Sequence, residues 1–442
     1  MTLRILLVSD NYPPYIGGAH RQTQLLGKEL QKRGHEVQVV TVWQPGLPEQ
    51  ADDNGVTVHR IKQLRTWLPW FVSDKQQHQP PFPDPISIWG VQRVLESFQP
   101  DVIHAYGWFT YALVAAMGSK KIPLLISGRD YAYSCATRTL LYKKRAPCNG
   151  PQLRKCLTCA SHQYGVVAGW TAVLGVAAGK WQLRNKVTGI HSISTYVQEI
   201  IERDFLSQAQ SAGSHVNSEG SHSIKAVIPS FRENGIDTVR YSEDPTLQRY
   251  VEQLPATPFI LFVGALRKVK GVEQLLAAYT RLASPPPLVL IGTYEEDTPQ
   301  EFPPGVTVLQ NFPHRAVLAA WEKALFGVIP SLWPEPLGSV VYEGMSRGRA
   351  MIGTKPGGHT DMIIDGKTGL LTPLGDVDAL TDAMQFLIDQ PAVRERFGAA
   401  ALEHAERFTA KVNVPRFEQI YRQLIDATSS NTEQHNALAV ER

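Results

Sequence analysis

The sequence predicts an α/β protein of two doubly wound, Rossmann-like domains facing a central cleft. Three observations carry that expectation. The 442 residues exceed what a single core usually organises. Strand and helix signals alternate along the chain. A polar, Ser/Gly-rich stretch at 206–223, LSQAQSAGSHVNSEGSHS, interrupts the alternation, which then restarts.

Taken in order, RILLVSD is a continuous apolar run of strand length, the pattern of a parallel strand buried on both faces. NYPPYIGGAH follows as a glycine-containing loop, then RQTQLLGKELQKRG as a helix that stops at Gly34. HEVQVVTV, DVIHAYG, PLLISGRD and KVTGIHSIST read as further strands. Beyond the polar stretch, FILFVGA, PLVLIG, VTVLQNF, FGVIPS, RAMIGTK and GLLTPLG read as strands. GVEQLLAAYTRLA, HRAVLAAWEKA and VVYEGMSRG read as helices. The expected boundaries are a first domain at 1–205 with an insert at 131–160, a flexible polar segment at 206–223 and a second domain at 224–408. A helix at 409–428 is expected to pack back on the first domain, ahead of a disordered tail at 429–442. Ligands of such sheets gather at the carboxyl ends of the strands, so the loops that follow strands are where function is sought.

Bulk composition excludes little. Hydrophobic content of 43% and charged content of 19% are ordinary for a globular protein. A net charge of +3 gives no reason to expect a nucleic-acid partner. MTLRILLVSDNYPPY lacks a small-residue cleavage site and reads as a first strand, which implies a cytoplasmic, reducing compartment without stable disulfides. The most apolar stretch, YGVVAGWTAVLGVAAGKW from Tyr164 to Trp181, is too interrupted for a membrane span. Two readings of it stay open: a helix on the domain, or a face resting peripherally on a membrane with nearby lysines and arginines meeting anionic lipid.

The segment PEPLGSVVYEGM places Glu335 in a proline-pinned loop and Glu343 on the helix behind it, with Gly338, Ser339 and Val340 between. A helix start presents free N–H groups that suit phosphate, and Gly338 and Ser339 leave room for an anion. Glu335 ahead of that seat can accept from hydroxyls, and Glu343 behind it from a vicinal diol. A sugar, a diphosphate and a ribose, the parts of a nucleotide sugar, satisfy all three. The plain alternative is an ordinary helix with Glu335 solvated and Glu343 paired to Arg347 one turn on.

PSLWPEPLGSVVYEGMSRGRAMIGTKPGGHTDMI closely resembles the donor-binding signature of glycosyltransferase family 4, retaining enzymes of the GT-B fold (glycosyl transferases group 1). The family pattern is two glutamates separated by seven residues, then a Gly-Gly turn and an acid, here Glu335, Glu343, Gly357, Gly358 and Asp361. Asp361 stands where glutamate is usual. FVGALRKVKGVEQLL is similar to the family's basic loop: Lys270 occupies the lysine position, while Ala265 replaces the arginine, with Arg267 and Lys268 following as candidates to reach the diphosphate. The Gly17–Gly18 loop matches the one the family brings to the acceptor and the donor phosphates. DVIHAYGWFT keeps the first of two family histidines as His104 and has Tyr106 at the second. PLLISGRDYAYSC has Arg129 for the family histidine beside Asp130, so Arg129 is either an anion-binding group or a structural partner of Asp130. The resemblance implies catalytic roles for Glu335, Lys270 and His104, and no cofactor for catalysis.

Cys135, Cys148, Cys156 and Cys159 fall within one basic insert that also holds Arg138, Lys143, Lys144, Arg145, Arg154 and Lys155. Four thiols ending in Cys-x2-Cys can supply a structural zinc site, or can remain reduced. The basic face suits a polyprenyl diphosphate, a phospholipid or an anionic glycan, or is simply solvated.

These readings lead to a retaining transferase that moves a hexose from a nucleoside diphosphate sugar to a hydroxyl of a glycan, lipid-linked or small-molecule acceptor, in polysaccharide, glycolipid or cell-envelope glycan synthesis. An epimerase or phosphorylase of the same fold, and a non-catalytic nucleotide-sugar-binding protein, are the alternatives.

Overall fold

The structure, a computed structural model, describes residues 2–14, 18–67, 81–206, 224–233 and 239–440. Gly17 and residues 207–223 of the polar segment lie outside the described residues. The chain divides into two compact units, one of residues 1–231 and 413–442, the other Arg232–Val412.

The first unit is built on ten strands: β1 (Arg4–Ser9), β2 (Glu36–Val42), β3 (Gln50–Asp53), β4 (Val56–Ile61), β5 (Val102–Tyr106), β6 (Leu124–Gly128), β7 (Leu141–Tyr142), β8 (Ala146–Pro147), β9 (Gly189–Ser192) and β10 (Ile224–Val227). Eight of them form one sheet in the order β10-β9-β6-β5-β1-β2-β4-β3, and β7 and β8 make a small separate hairpin. Only β3 in the large sheet runs antiparallel. Ile5, Leu6, Leu7 and Val8 are fully buried, as a central parallel strand covered on both faces requires. The helix Gly18–Lys32 follows β1 and buries Leu26 and Leu30.

The expected boundary at 224 moves to Arg232, because β10 pairs in parallel with β9 and belongs to the first sheet. The β3–β4 hairpin was also not anticipated. Its turn is Asn54-Gly55, both at positive φ, a local signal of a tight hairpin. The last helix runs Ala410–Val440, replacing the disordered tail expected from 429. Its residues from Asn413 onward belong to the first unit. There Arg416 bonds the Val227 carbonyl at 2.7 Å, and Glu418 receives Arg33 and His35, each at 2.8 Å.

The second unit holds β11 (Phe259–Val263), β12 (Leu288–Ile291), β13 (Val306–Leu309), β14 (Ala324–Val328), β15 (Ala350–Lys355) and β16 (Gly369–Pro373). All are parallel, in the order β13-β12-β11-β14-β15-β16. The chain crosses sides between β11 and β14, so the loops leaving those two strands are neighbours at the switch point where such sheets bind ligands. Ile260, Phe262, Phe326, Val328 and Ile352 fill the core under them.

Candidate functional site

In the second unit the loop after β11 carries Lys270 and the loop after β14 carries Glu335. Gly271 holds them together. It sits at φ +75, and a side chain there would strike the Pro330 carbonyl. Leu332 N–H donates to the Val269 carbonyl at 2.9 Å, seaming the two loops. Lys270 Nζ then reaches Glu335 Oε1 at 2.6 Å, and Ser331 Oγ donates to the same oxygen at 2.7 Å. Glu335 Oε2 takes no bond from the described residues. Burial pushes the Glu335 carboxyl up, but the charge and hydrogen bond of Lys270, with the bond from Ser331, outweigh it and hold the group below its usual range, so it stays ionised.

The Gly357–Gly358 turn packs directly on this loop. Gly358 N–H donates to the Glu335 carbonyl at 2.6 Å, and side chains at either glycine would run into the Pro334–Leu337 backbone. His359, fully buried, follows the turn. Its Nδ1 accepts from Thr354 N–H at 3.1 Å, so Nε2 carries the proton. Burial pushes His359 down to about 4, so the ring is neutral. Nε2 has no partner among the described residues, and it lies 2.6 Å from where a Cβ on Gly338 would stand. Gly338 is therefore constrained twice, by φ +87 and by this ring.

Gly338 leads into the helix Ser339–Met345, whose Ser339 is exposed at the first turn. With seven residues this helix has little macrodipole. Its usable feature is the first-turn N–H groups of Ser339 and Val340, which a helix start leaves without an intrahelical partner. Glu343, buried about one turn in, does not pair with Arg347, which instead lies 3.7 Å from Glu322. Its Oε1 meets His314 Nε2 at 3.0 Å and Arg232 at 3.1 Å. Burial pushes Glu343 up, and the bond from His314 with the charge of Arg232 holds it below the usual range.

Arg267 and Lys268 stand apart from this cluster. Arg267 faces Asp297 at 3.4 Å and Lys268 faces Glu273 at 3.2 Å, both as exposed pairs. Asp361 sits on the short helix His359–Met362.

The first unit places its expected residues differently. Gly18 opens the helix after β1. His104 is fully buried and both ring nitrogens are occupied: Nδ1 by the Tyr421 hydroxyl at 2.7 Å and Nε2 by Ser127 Oγ at 2.6 Å. Ser127 reaches His191 Nδ1 at 2.6 Å, and His191 Nε2 donates to the Ile228 carbonyl at 2.8 Å. Because a carbonyl only accepts, the chain has one polarity: Tyr421 donates to His104, His104 to Ser127, Ser127 to His191 and His191 to Ile228. Burial pushes His104 well down and His191 down to about 3, so both rings are neutral. The catalytic role expected for His104 is thus corrected, since the ring has no nitrogen left to offer a substrate.

Arg129 does not bond Asp130. It donates to Ser230 Oγ at 2.7 Å and stacks over the Tyr106 ring. Asp130 pairs instead with Arg138 at 2.6 Å, and Arg138 also holds Asp10 at 2.8 Å. Burial would lower Arg138, but Asp130 and Asp10 hold it well up.

The four cysteines are free and line one cavity of about 20 Å³. Burial pushes Cys156 and Cys159 up, so these thiols stay protonated. Among the described residues no group of three or more His, Cys, Asp or Glu side chains is placed to hold a metal ion.

Arg232, His314, Ser331 and His359 were not anticipated. The one local signal among them was His359, directly after the Gly-Gly turn.

Two family models divide the chain. The glycosyl transferase 4-like domain matches residues 17–210, and glycosyl transferases group 1 matches residues 248–404. Glycogen synthase of Mycobacterium tuberculosis is 24% identical over 430 residues, spanning 90% of this chain and 89% of that protein. Among solved structures, sucrose-phosphate synthase from Thermosynechococcus elongatus superposes with a TM-score of 0.68 at 20% identity, over 96% of this chain and 100% of the other. Anabaena HepE in complex with UDP and glucose gives 0.59 at 17% identity, over 97% and 100%. The two family models define a glycosyltransferase, and the solved structures share its GT-B architecture. Within that class, the chain belongs to the glycosyl transferases group 1 of the family-4 type. No helix among the described residues is long and apolar enough to cross a membrane.

Proposed function

We propose that the protein transfers a hexose, with retention, from a nucleoside diphosphate sugar to a hydroxyl acceptor. The observation that carries this reading is the 2.6 Å pair of Lys270 with buried, ionised Glu335, set at the switch point of the second sheet. HepE, whose structure holds UDP and glucose, supports the choice of donor class.

In this reading Glu335 accepts from the hydroxyls of the sugar through Oε2, while Lys270 fixes its other oxygen. The diphosphate lies against the N–H groups of Ser339 and Val340. Lys270 and the neutral Nε2–H of His359 offset the charge that builds on it as it leaves. Glu343 holds the ribose, its own position set by Arg232 and His314. The acceptor oxygen bonds to the anomeric carbon as the bond from that carbon to phosphate breaks. The acceptor's proton passes to a phosphate oxygen on the same face, so no protein nucleophile is required. Arg129 and Asp130 belong to the acceptor or sugar region, and Arg129, in place of the family histidine, favours an anionic group there. The acceptor class is a glycan, lipid-linked or small-molecule hydroxyl, as in polysaccharide, glycolipid or cell-envelope glycan synthesis.

The test is a panel of UDP-, GDP- and ADP-sugars. Thermal stabilisation selects the donor, and NMR of the released or transferred sugar reads its anomeric configuration. Binding of a donor with no turnover would sink the transferase assignment. An inverted product would sink retention alone.

A further inference from the structure

We propose that the exposed face of the helix Val166–Arg184, in the first unit, rests on the surface of an anionic lipid bilayer. This inference stands apart from the donor site and does not depend on it.

Val167, Trp170, Leu174 and Trp181 are 79%, 50%, 55% and 70% exposed. Their spacing puts them on one side of the helix. The opposite side is pressed into the fold. A side chain on Gly169 would strike the backbone at Ala160 and Ser161, and one on Gly179 would strike the Tyr111 ring. The glycines therefore seat the helix so closely that its bulky residues have only the outside to occupy. Four large apolar side chains on one helical face, two of them tryptophan, make a patch of the kind that marks an interaction surface.

Charge identifies what covers it. Residues 131–198 contain nine lysines and arginines and no aspartate or glutamate, whereas the rest of the chain has six more acids than bases. Of the nine, only Arg138 meets a carboxylate among the described residues. Lys180, Arg184 and Lys186 bond backbone carbonyls of Asp204, Phe205 and Gly118, which positions them without neutralising them. Arg154 stands exposed at the start of the helix Leu153–Tyr164, which packs against Val166–Arg184. A second copy of this chain would bring like charges together across the patch. A bilayer carrying anionic headgroups would neutralise them while taking up the tryptophans at its interface. No described helix is suited to span a membrane, so this one lies along the surface.

The test is co-sedimentation of the full chain with phosphatidylglycerol/phosphatidylcholine vesicles and with phosphatidylcholine vesicles alone. The wild type should bind the anionic vesicles, and lose on the order of tenfold in partition at high salt or on the neutral ones. The variant Trp170→Ser/Leu174→Ser/Trp181→Ser alters only exposed side chains, so its melting temperature should hold. Its partition should drop by on the order of tenfold or more. Equal partition of the folded variant and the wild type would overturn the proposal. So would a wild-type dimer that the same variant makes monomeric, because the face would then be a self-interface. Neither outcome bears on donor turnover, so this proposal and the transferase reading fail separately.

Discussion

Two buried polar clusters lie at comparable places in their sheets, near the carboxyl ends of central parallel strands, and they are built on opposite principles. Around Glu335 and Glu343 the second unit keeps full charges: each carboxylate is buried, ionised and answered by a cation. Through His104 the first unit runs a relay of neutral donors and acceptors from Tyr421 to the Ile228 carbonyl, with every position filled and no charged member. Burying a charge is costly, and an ion pair recovers that cost only in part. In the proposed reading, the charges kept beside the unbonded oxygen of Glu335 are held for the donor. A closed neutral relay specifies packing.

That contrast can be broken most severely at Glu335. Glu335→Gln keeps the shape and removes the charge. Donor turnover should fall roughly 100- to 1,000-fold with nucleotide affinity little changed, read by steady-state kinetics beside calorimetry. Near-normal turnover would remove the functional half of the comparison.

Glu343→Gln should act on binding. Losing charged hydrogen bonds to the ribose should weaken nucleoside diphosphate affinity by on the order of tenfold, again by calorimetry. An unchanged dissociation constant would move the ribose away from this residue.

The relay should respond in stability instead. His104→Leu leaves Tyr421 and Ser127 without their partner and should cost roughly 1–3 kcal/mol in unfolding free energy, with turnover of the folded fraction within a few-fold of wild type. The pH dependence sharpens the point. In the unfolded chain a histidine takes up a proton near pH 6.5, while His191 in the fold resists until about 3. The unfolded state thus binds more protons across that window, and stability should fall as pH drops through it. The Glu335 and Glu343 pairs, lowered from the usual carboxylate range, add their loss only below that range. His191→Gln should flatten the upper part of the decline in denaturant midpoint.

The smallest effect is expected at Arg267. As half of an exposed pair with Asp297 it contributes about 0.2–1 kcal/mol at most, so Arg267→Ala should change nucleotide affinity by no more than a few-fold. A loss of tenfold or more would mean that the basic loop rearranges around the donor.

How much of this was legible in the sequence follows from how local each signal is. Both sheets and most of their strands could be read because buried parallel strands are continuous apolar runs. Glu335, Glu343 and Gly338 could be read because one loop and one helix hold them all. Lys270 was legible through its own motif, although it meets Glu335 from 65 residues away. The partners of Glu343 were not: His314 and Arg232 come from 29 and 111 residues away, and no local pattern marks them. His104 shows the converse. Its match to a family histidine implied a catalytic role, but what closes over it is Tyr421, 317 residues further on. His359 was visible in the sequence, directly after the Gly-Gly turn, yet its meaning lies in an orphaned nitrogen that only the fold creates.

The helix Ala410–Val440 has a consequence for how the chain is made. Its residues from Asn413 return to the first unit, so that unit is not a contiguous stretch of polypeptide. When the ribosome has emitted residues 1–231, His104 still lacks the hydroxyl of Tyr421, and His35 and Arg33 lack the carboxylate of Glu418. The unit that begins first must therefore wait, its core unfinished, while all of Arg232–Val412 is synthesised. The usual order, in which the amino-terminal domain folds to completion during translation, is reversed here.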